Sequence, residues 1–174
     1  PCTGGCSFNS INGRTEQGKE KIRTHLRLFD VLWENFVLVA ATLDYSKGDR
    51  VLIEWPKGCH YWKLPKVRKF LNEYGCECTH FDGCHFGLVS CINGMPIKKP
   101  WTYGTNCKEI TNAFEGSKCP GHPEHQPCAG KDTKLTENYT LPMIKRLHKA
   151  FLKHALAGAL AVDNPSPRHQ ASFV

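Results

Sequence analysis

Apolar residues recur through the first third of the chain with the period of a helix. Ile22, Leu26, Phe29, Trp33, Phe36, Ala40 and Leu43 alternate steps of four and three, which lines one face and predicts a helix from Thr15 to Leu43. Three heptads of a coiled coil fit the same residues, but Leu28, Leu32, Val37 and Val39 widen the stripe toward a helix packed on a sheet. Lys47-Gly48-Asp49 reads as a turn, and Arg50 to Trp55 as a short apolar strand of the buried, parallel kind. Pro65 opens a second helix with Val67, Phe70, Leu71 and Tyr74 inward and Gly75 as its stop. Strands are expected at Cys76–Phe81 and Phe86–Ile92. Asn93-Gly94 signals a hairpin that Trp101–Thr105 would complete, and a short helix follows over Cys107–Phe114. Residues 115–138 read as loop. Pro142 begins a third helix carrying Ile144, Leu147, Phe151, Leu152 and Leu156 on one side.

The alternation predicts an α/β fold: a mostly parallel sheet with flanking helices and a late β-hairpin. A single domain is expected over residues 1–160, with 161–174 as a disordered tail. Hydrophobic residues make up 40% of the 174, which excludes general disorder. The apolar runs Phe36–Leu43 and Ala155–Val162 fall short of the roughly 18–20 residues that span a membrane. With no secretory leader in view, an intracellular protein is expected, cytoplasmic or nuclear.

Charge and cysteine content narrow the chemistry. Lys and Arg number 23 against 16 Asp and Glu, a net +7 that favours an anionic partner, nucleic acid first. Ten cysteines accompany nine histidines, which points to reduced thiols, a metal site or a catalytic thiol rather than a disulfide framework. Cys119-Pro-Gly-His122-Pro-Glu-His125-Gln-Pro-Cys128 offers four donors in a Pro/Gly loop, a candidate zinc set. Cys107, or Cys84 with His85, are alternative donors, and a metal-free loop is the competing reading. Cys76, Cys78 and His80 alternate onto one strand face, where core thiols compete with a ligand set.

Cys2 lies in a Gly-rich loop running toward a helix, a setting that favours a thiolate, with a frayed terminal residue as the competing reading. Glu54 stands at the end of an apolar strand, where a carboxylate is either at a ligand-binding edge or at a solvated strand end. Trp55, Pro56 and His60 beside it, with Lys57 and Lys63, would suit a base and its phosphates.

The order of these parts resembles the C-terminal half of a cytosine-5 DNA methyltransferase catalytic domain. The pattern is a Pro-Cys loop, a helix, a strand ending in Glu, another helix and two strands. More closely, the chain resembles methyltransferase-like segments of phages and retroelement polyproteins. The matching motifs are Pro1-Cys2-Thr3, Glu54-Trp55-Pro56, Cys84-His85-Phe86-Gly87-Leu88, Lys98-Lys99-Pro100-Trp101 and Thr105-Asn106. The resemblance implies a partial class I, Rossmann-like fold. It also implies Cys2 as nucleophile and Glu54 as the grip on the flipped cytosine, with Lys98 and Lys99 near the substrate. S-adenosylmethionine would be the methyl donor, held largely by an N-terminal half of the parent that becomes an expected partner, DNA being the other. A zinc-stabilised, non-enzymatic nucleic-acid-binding module of a polyprotein is the alternative.

Overall fold

The computed structural model describes residues 5, 6 and 9–163; Cys2 and the residues beside it lie outside the described residues. A one-turn helix α1 (Asn9–Asn12) precedes α2 (Glu16–Ala41), whose first turn Thr15 caps by accepting the Gly18 N–H at 3.0 Å. The apolar stripe of α2 buries less than its width suggests. Phe29, Trp33 and Ala40 are covered, while Leu28, Leu32 and Val39 remain 49%, 41% and 61% exposed. A helix of this length runs about 39 Å, whereas the sheet beneath it is about 10 Å wide, two interstrand spacings.

That sheet corrects the expected architecture. It holds β1 (Leu52–Pro56), β2 (Glu77–Asp82) and β3 (Pro100–Thr105) in the order β1-β3-β2, with both pairings antiparallel. The mostly parallel, Rossmann-like sheet is therefore overturned. β1 and β2 do run the same way, joined through α3 (Pro65–Glu73), but β3 is inserted between them. A buried apolar strand looks the same in sequence whichever way its neighbour runs. What decides the pairing here is β3, buried from Trp101 to Thr105 and so suited to the centre.

The late hairpin is reduced as well. In place of a strand over Phe86–Ile92 there is a 3₁₀ turn, Gly83–Phe86, followed by one bridge, Val89 to Pro96, around the Asn93-Gly94 turn. Trp101–Thr105 pairs with β1 and β2 instead. After β3 come α4 (Lys108–Phe114), α5 (Lys131–Leu135) and α6 (Leu141–Asp163), and the expected tail from residue 164 onward lies outside the described residues.

Each sheet face carries its own core. On one side, Ile53 packs with Trp33, Tyr61, Val67 and Phe70 from α2, α3 and the 3₁₀ turn His60–Lys63. There Gly104 leaves only enough room for Trp62 and Leu71, which an added Cβ would meet at 3.1 and 3.2 Å. On the other side, Phe81, Trp101 and Tyr103 meet Phe114 and Met143 from α4 and α6. Glu54 pairs with Tyr103 across the ladder, so its side chain belongs to this second face. Among the described residues no helix is long and apolar enough to cross a membrane.

Candidate metal centre and the Glu54 site

The 115–130 loop has no regular structure to hold it, and the fold anchors it at a few points. Asp82, buried at the end of β2, accepts the Cys119 N–H at 2.9 Å; the Gln126 N–H reaches the Pro96 carbonyl at 2.9 Å. Between them Gly121 takes φ 104°, a conformation that favours glycine, and the chain turns back on itself. The turn brings Cys119, His122 and His125 together with Cys84 of the 3₁₀ turn after β2. Their ligand atoms all lie within 4.8 Å of one another.

The sequence pattern thus supplied three of these four donors. Cys128 is not in the group; its thiol pairs with the Thr136 hydroxyl at 3.1 Å. Cys84 takes the fourth place, reached across the fold from the end of β2. His85, its neighbour, turns away and bonds the Lys118 carbonyl through Nδ1 at 2.8 Å.

The donor set fits zinc. Two sulfurs and two imidazoles suit a tetrahedral structural site, in which an S···N edge is about 3.6 Å. Cys119 Sγ lies 3.5 Å from His122 Nδ1 and 3.3 Å from His125 Nε2. Burial pushes the Cys84 thiol up to about 11, and its bond to Cys119 adds to the shift. The backbone N–H groups of Gly121 and His122 hold the Cys119 thiol below its ordinary range. Cys119 is therefore the sulfur readiest to ionise. Bound zinc would be held by Cys84, Cys119, His122 and His125, and would join the end of β2 to the loop before α5.

The second place of interest is Glu54. Its Oε2 accepts the Tyr139 hydroxyl at 2.5 Å, while Oε1 is buried with no hydrogen-bond partner among the described residues. Burial raises the carboxyl above the ordinary range, against the opposing pull of the Tyr139 bond and of the nearby Lys99 charge. Burial also drives the Tyr103 hydroxyl, next to it on the same face, strongly upward. Glu54 also borders a groove of about 180 Å³ between β1 and α2 that is walled by Phe29, Trp33 and Trp55, residues of the face opposite its carboxyl.

The remaining expected substrate residues are dispersed. Trp55 follows Glu54 on the strand and so faces the opposite side. Its ring packs 4.7 Å from Trp62 and 5.4 Å from Tyr61, in the core rather than as an open stacking surface. The Pro56 carbonyl accepts the Trp62 indole N–H at 3.1 Å. His60 is exposed at the start of a 3₁₀ turn. Lys98 is exposed and lends its charge to Cys119 rather than to Glu54. Lys99 alone is brought to Glu54; its ammonium donates to the Thr136 carbonyl and sits 5.1 Å over the Trp101 ring. Cys76 and Cys78 are thiols that burial pushes up, Cys76 to about 11. His80 bonds the Thr102 hydroxyl at 2.7 Å, away from any ligand group.

Sequence reasoning passed over two positioning residues. Tyr139, seen only as part of a glycosylation-like triplet, orients Glu54 from 85 positions away. Asp82 sets the Cys119 backbone, and its place directly before Gly83-Cys84 was the available signal. The sequence matches no protein-family model, and comparison with curated proteins and with solved structures returns no significant match.

Proposed function

We propose that the chain is the base-binding segment of a cytosine-5 methyltransferase-like protein acting on nucleic acid, DNA foremost, with zinc as an internal staple. The observation that carries this reading is Glu54, whose Oε1 is buried and has no hydrogen-bond partner among the described residues, and whose carboxyl pKa is raised by burial. Because Tyr139 donates to Oε2, Oε1 is the oxygen left to meet a ligand, and in the carboxyl's protonated form it is a donor. A donor at that point matches the bare ring nitrogen of cytosine and mismatches the N–H of thymine. The order helix, Glu-bearing strand, helix and two strands adds support; the antiparallel sheet does not. Cys2 would supply the attacking thiolate. S-adenosylmethionine, when bound by the parent protein, supplies the methyl group.

The test is the anisotropy of labelled single-stranded oligonucleotides, cytosine-rich against thymine-rich. The expected preference for cytosine is about tenfold, the equivalent of one buried hydrogen bond, and E54A abolishes it. Equal affinity for both, or a preference that survives in E54A, refutes the reading.

A second reading has its own observation. The Cys84, Cys119, His122 and His125 group, together with net charge +7, supports a zinc-stabilised module that binds nucleic acid without chemistry. It predicts affinity independent of base, unchanged by E54A, and falling steeply with salt.

A further inference from the structure

A second convergence of donors lies on the far side of the sheet's α4/α6 layer, and it shares no residue with the first. Cys107 caps the start of α4, Glu109 sits in its first turn and His154 comes from α6. Cys107 is fully buried, and the side chains of His154 and Glu109 are 12% and 25% exposed. Glu109 Oε2 lies 3.6 Å from Cys107 Sγ and 3.1 Å from His154 Nδ1, and all three ligand atoms fall within 4.8 Å of one another.

The other face of the imidazole decides what this arrangement needs. His154 Nε2 is 2.9 Å from the Gly48 carbonyl, which only accepts, so Nε2 carries a hydrogen. In a neutral ring Nδ1 is then a bare lone pair pointed at a carboxylate oxygen, the same oxygen to which the Cys107 thiol donates. Nδ1, Oε2 and, once its proton has left, Sγ converge on one place where a single cation can be held by all three. The orientation is also that of a metal-ligating histidine, whose outer N–H is fixed by a backbone carbonyl.

The geometry points to a second divalent-cation site of the zinc class at Cys107, Glu109 and His154. The contacts of 3.1 and 3.6 Å resemble the edges of a tetrahedron around zinc, about 3.3 Å for N···O and 3.6 Å for S···O. Three protein donors leave one position for water or an anion. Binding forms bonds to Sγ, Oε2 and Nδ1 and releases the Cys107 thiol proton and any proton on Nδ1, so it weakens as pH falls. Entry is from the groove of about 860 Å³ between α4 and α6, which Glu109 lines together with Arg146, Lys149 and Lys153. The bound ion would fasten α4 and α6 to each other and, through the imidazole, to the turn after α2.

Metal content of protein loaded with zinc and desalted without chelator tests this. Two equivalents per chain are expected in the native protein, one in C107S and in H154Q, and one in C84S. The amide of H154Q keeps a donor for the Gly48 carbonyl, which separates loss of metal from loss of fold. A single equivalent in the native protein that C84S removes would overturn the proposal, leaving a proton as the cation at His154. Two equivalents that persist in both C107S and H154Q would overturn it equally. A C84S protein with unchanged content would instead strike at the first centre and leave this one standing.

Discussion

Replacing Cys84 and Cys128 separately with serine discriminates between the ligand set written along the loop and the one assembled by the fold. Cys84 Sγ lies within 4.8 Å of the other three donors, whereas Cys128 bonds Thr136 at 3.1 Å. C84S should therefore lose zinc, and C128S should keep it. The size of the effect follows from linkage. At free zinc a thousand times the dissociation constant, binding stabilises the folded state by about 4.1 kcal/mol. In a domain of this size each kcal/mol moves the melting temperature by roughly 2–4 °C, so abolishing the site lowers it by about 8–16 °C. C128S keeps a hydroxyl in place of the thiol toward Thr136 and should shift melting by no more than about 2 °C, in line with a change near 0.5 kcal/mol. The assay is differential scanning fluorimetry with and without chelator, beside metal analysis of each variant. Chelator should bring the native protein and C128S down to the C84S value. If C128S loses metal as fully as C84S, or if chelator leaves the native melting temperature unchanged, the four-donor centre is refuted.

Other expectations follow from the same geometry. The Glu54 carboxyl is raised in the folded state, so its contribution to stability is full below its unfolded value and is lost as pH rises through the folded one. E54Q, neutral throughout, should flatten that part of the stability profile in a urea series above about pH 4.3, and an unchanged slope would contradict the assignment. Y139F removes a bond that favours the ionised carboxylate, so the same midpoint should move to higher pH, read by the carboxyl carbon signal in NMR. Asp132 behaves oppositely: bonds from the Ser90 hydroxyl and the Cys91 N–H hold it below the ordinary range, so its contribution is present at neutral pH and lost on acidification through the lowered value. D132N should abolish that acid limb while lowering stability at neutral pH. Phe81 is fully buried between Phe86, Tyr103 and Phe114, and F81A should cost about 3–5 kcal/mol by chemical denaturation.

Local patterns determined much of this protein from its sequence. The 4–3 spacing beginning at Ile22 was enough to place α2, and Pro65 with Gly75 enclosed α3, because these signals act within one or two turns. The Cys119, His122 and His125 spacing was legible for the same reason: three donors within seven residues meet wherever the loop is held. Tertiary structure decided the rest. Strand direction depends on which neighbour β3 finds, and its burial on both faces placed it between β1 and β2, against the parallel sheet that the apolar runs suggested. Glu54 and Trp55 are adjacent in sequence, yet strand alternation sends them to opposite faces, so the carboxylate keeps Tyr139 and Lys99 while the indole joins the core. Cys84 entered the metal group, and Cys128 left it, because the end of β2 and a loop 35 residues later meet only once Asp82 has fixed the Cys119 backbone. Short-range spacing fixes which donors a loop can offer; contacts between distant segments decide which of them share one centre.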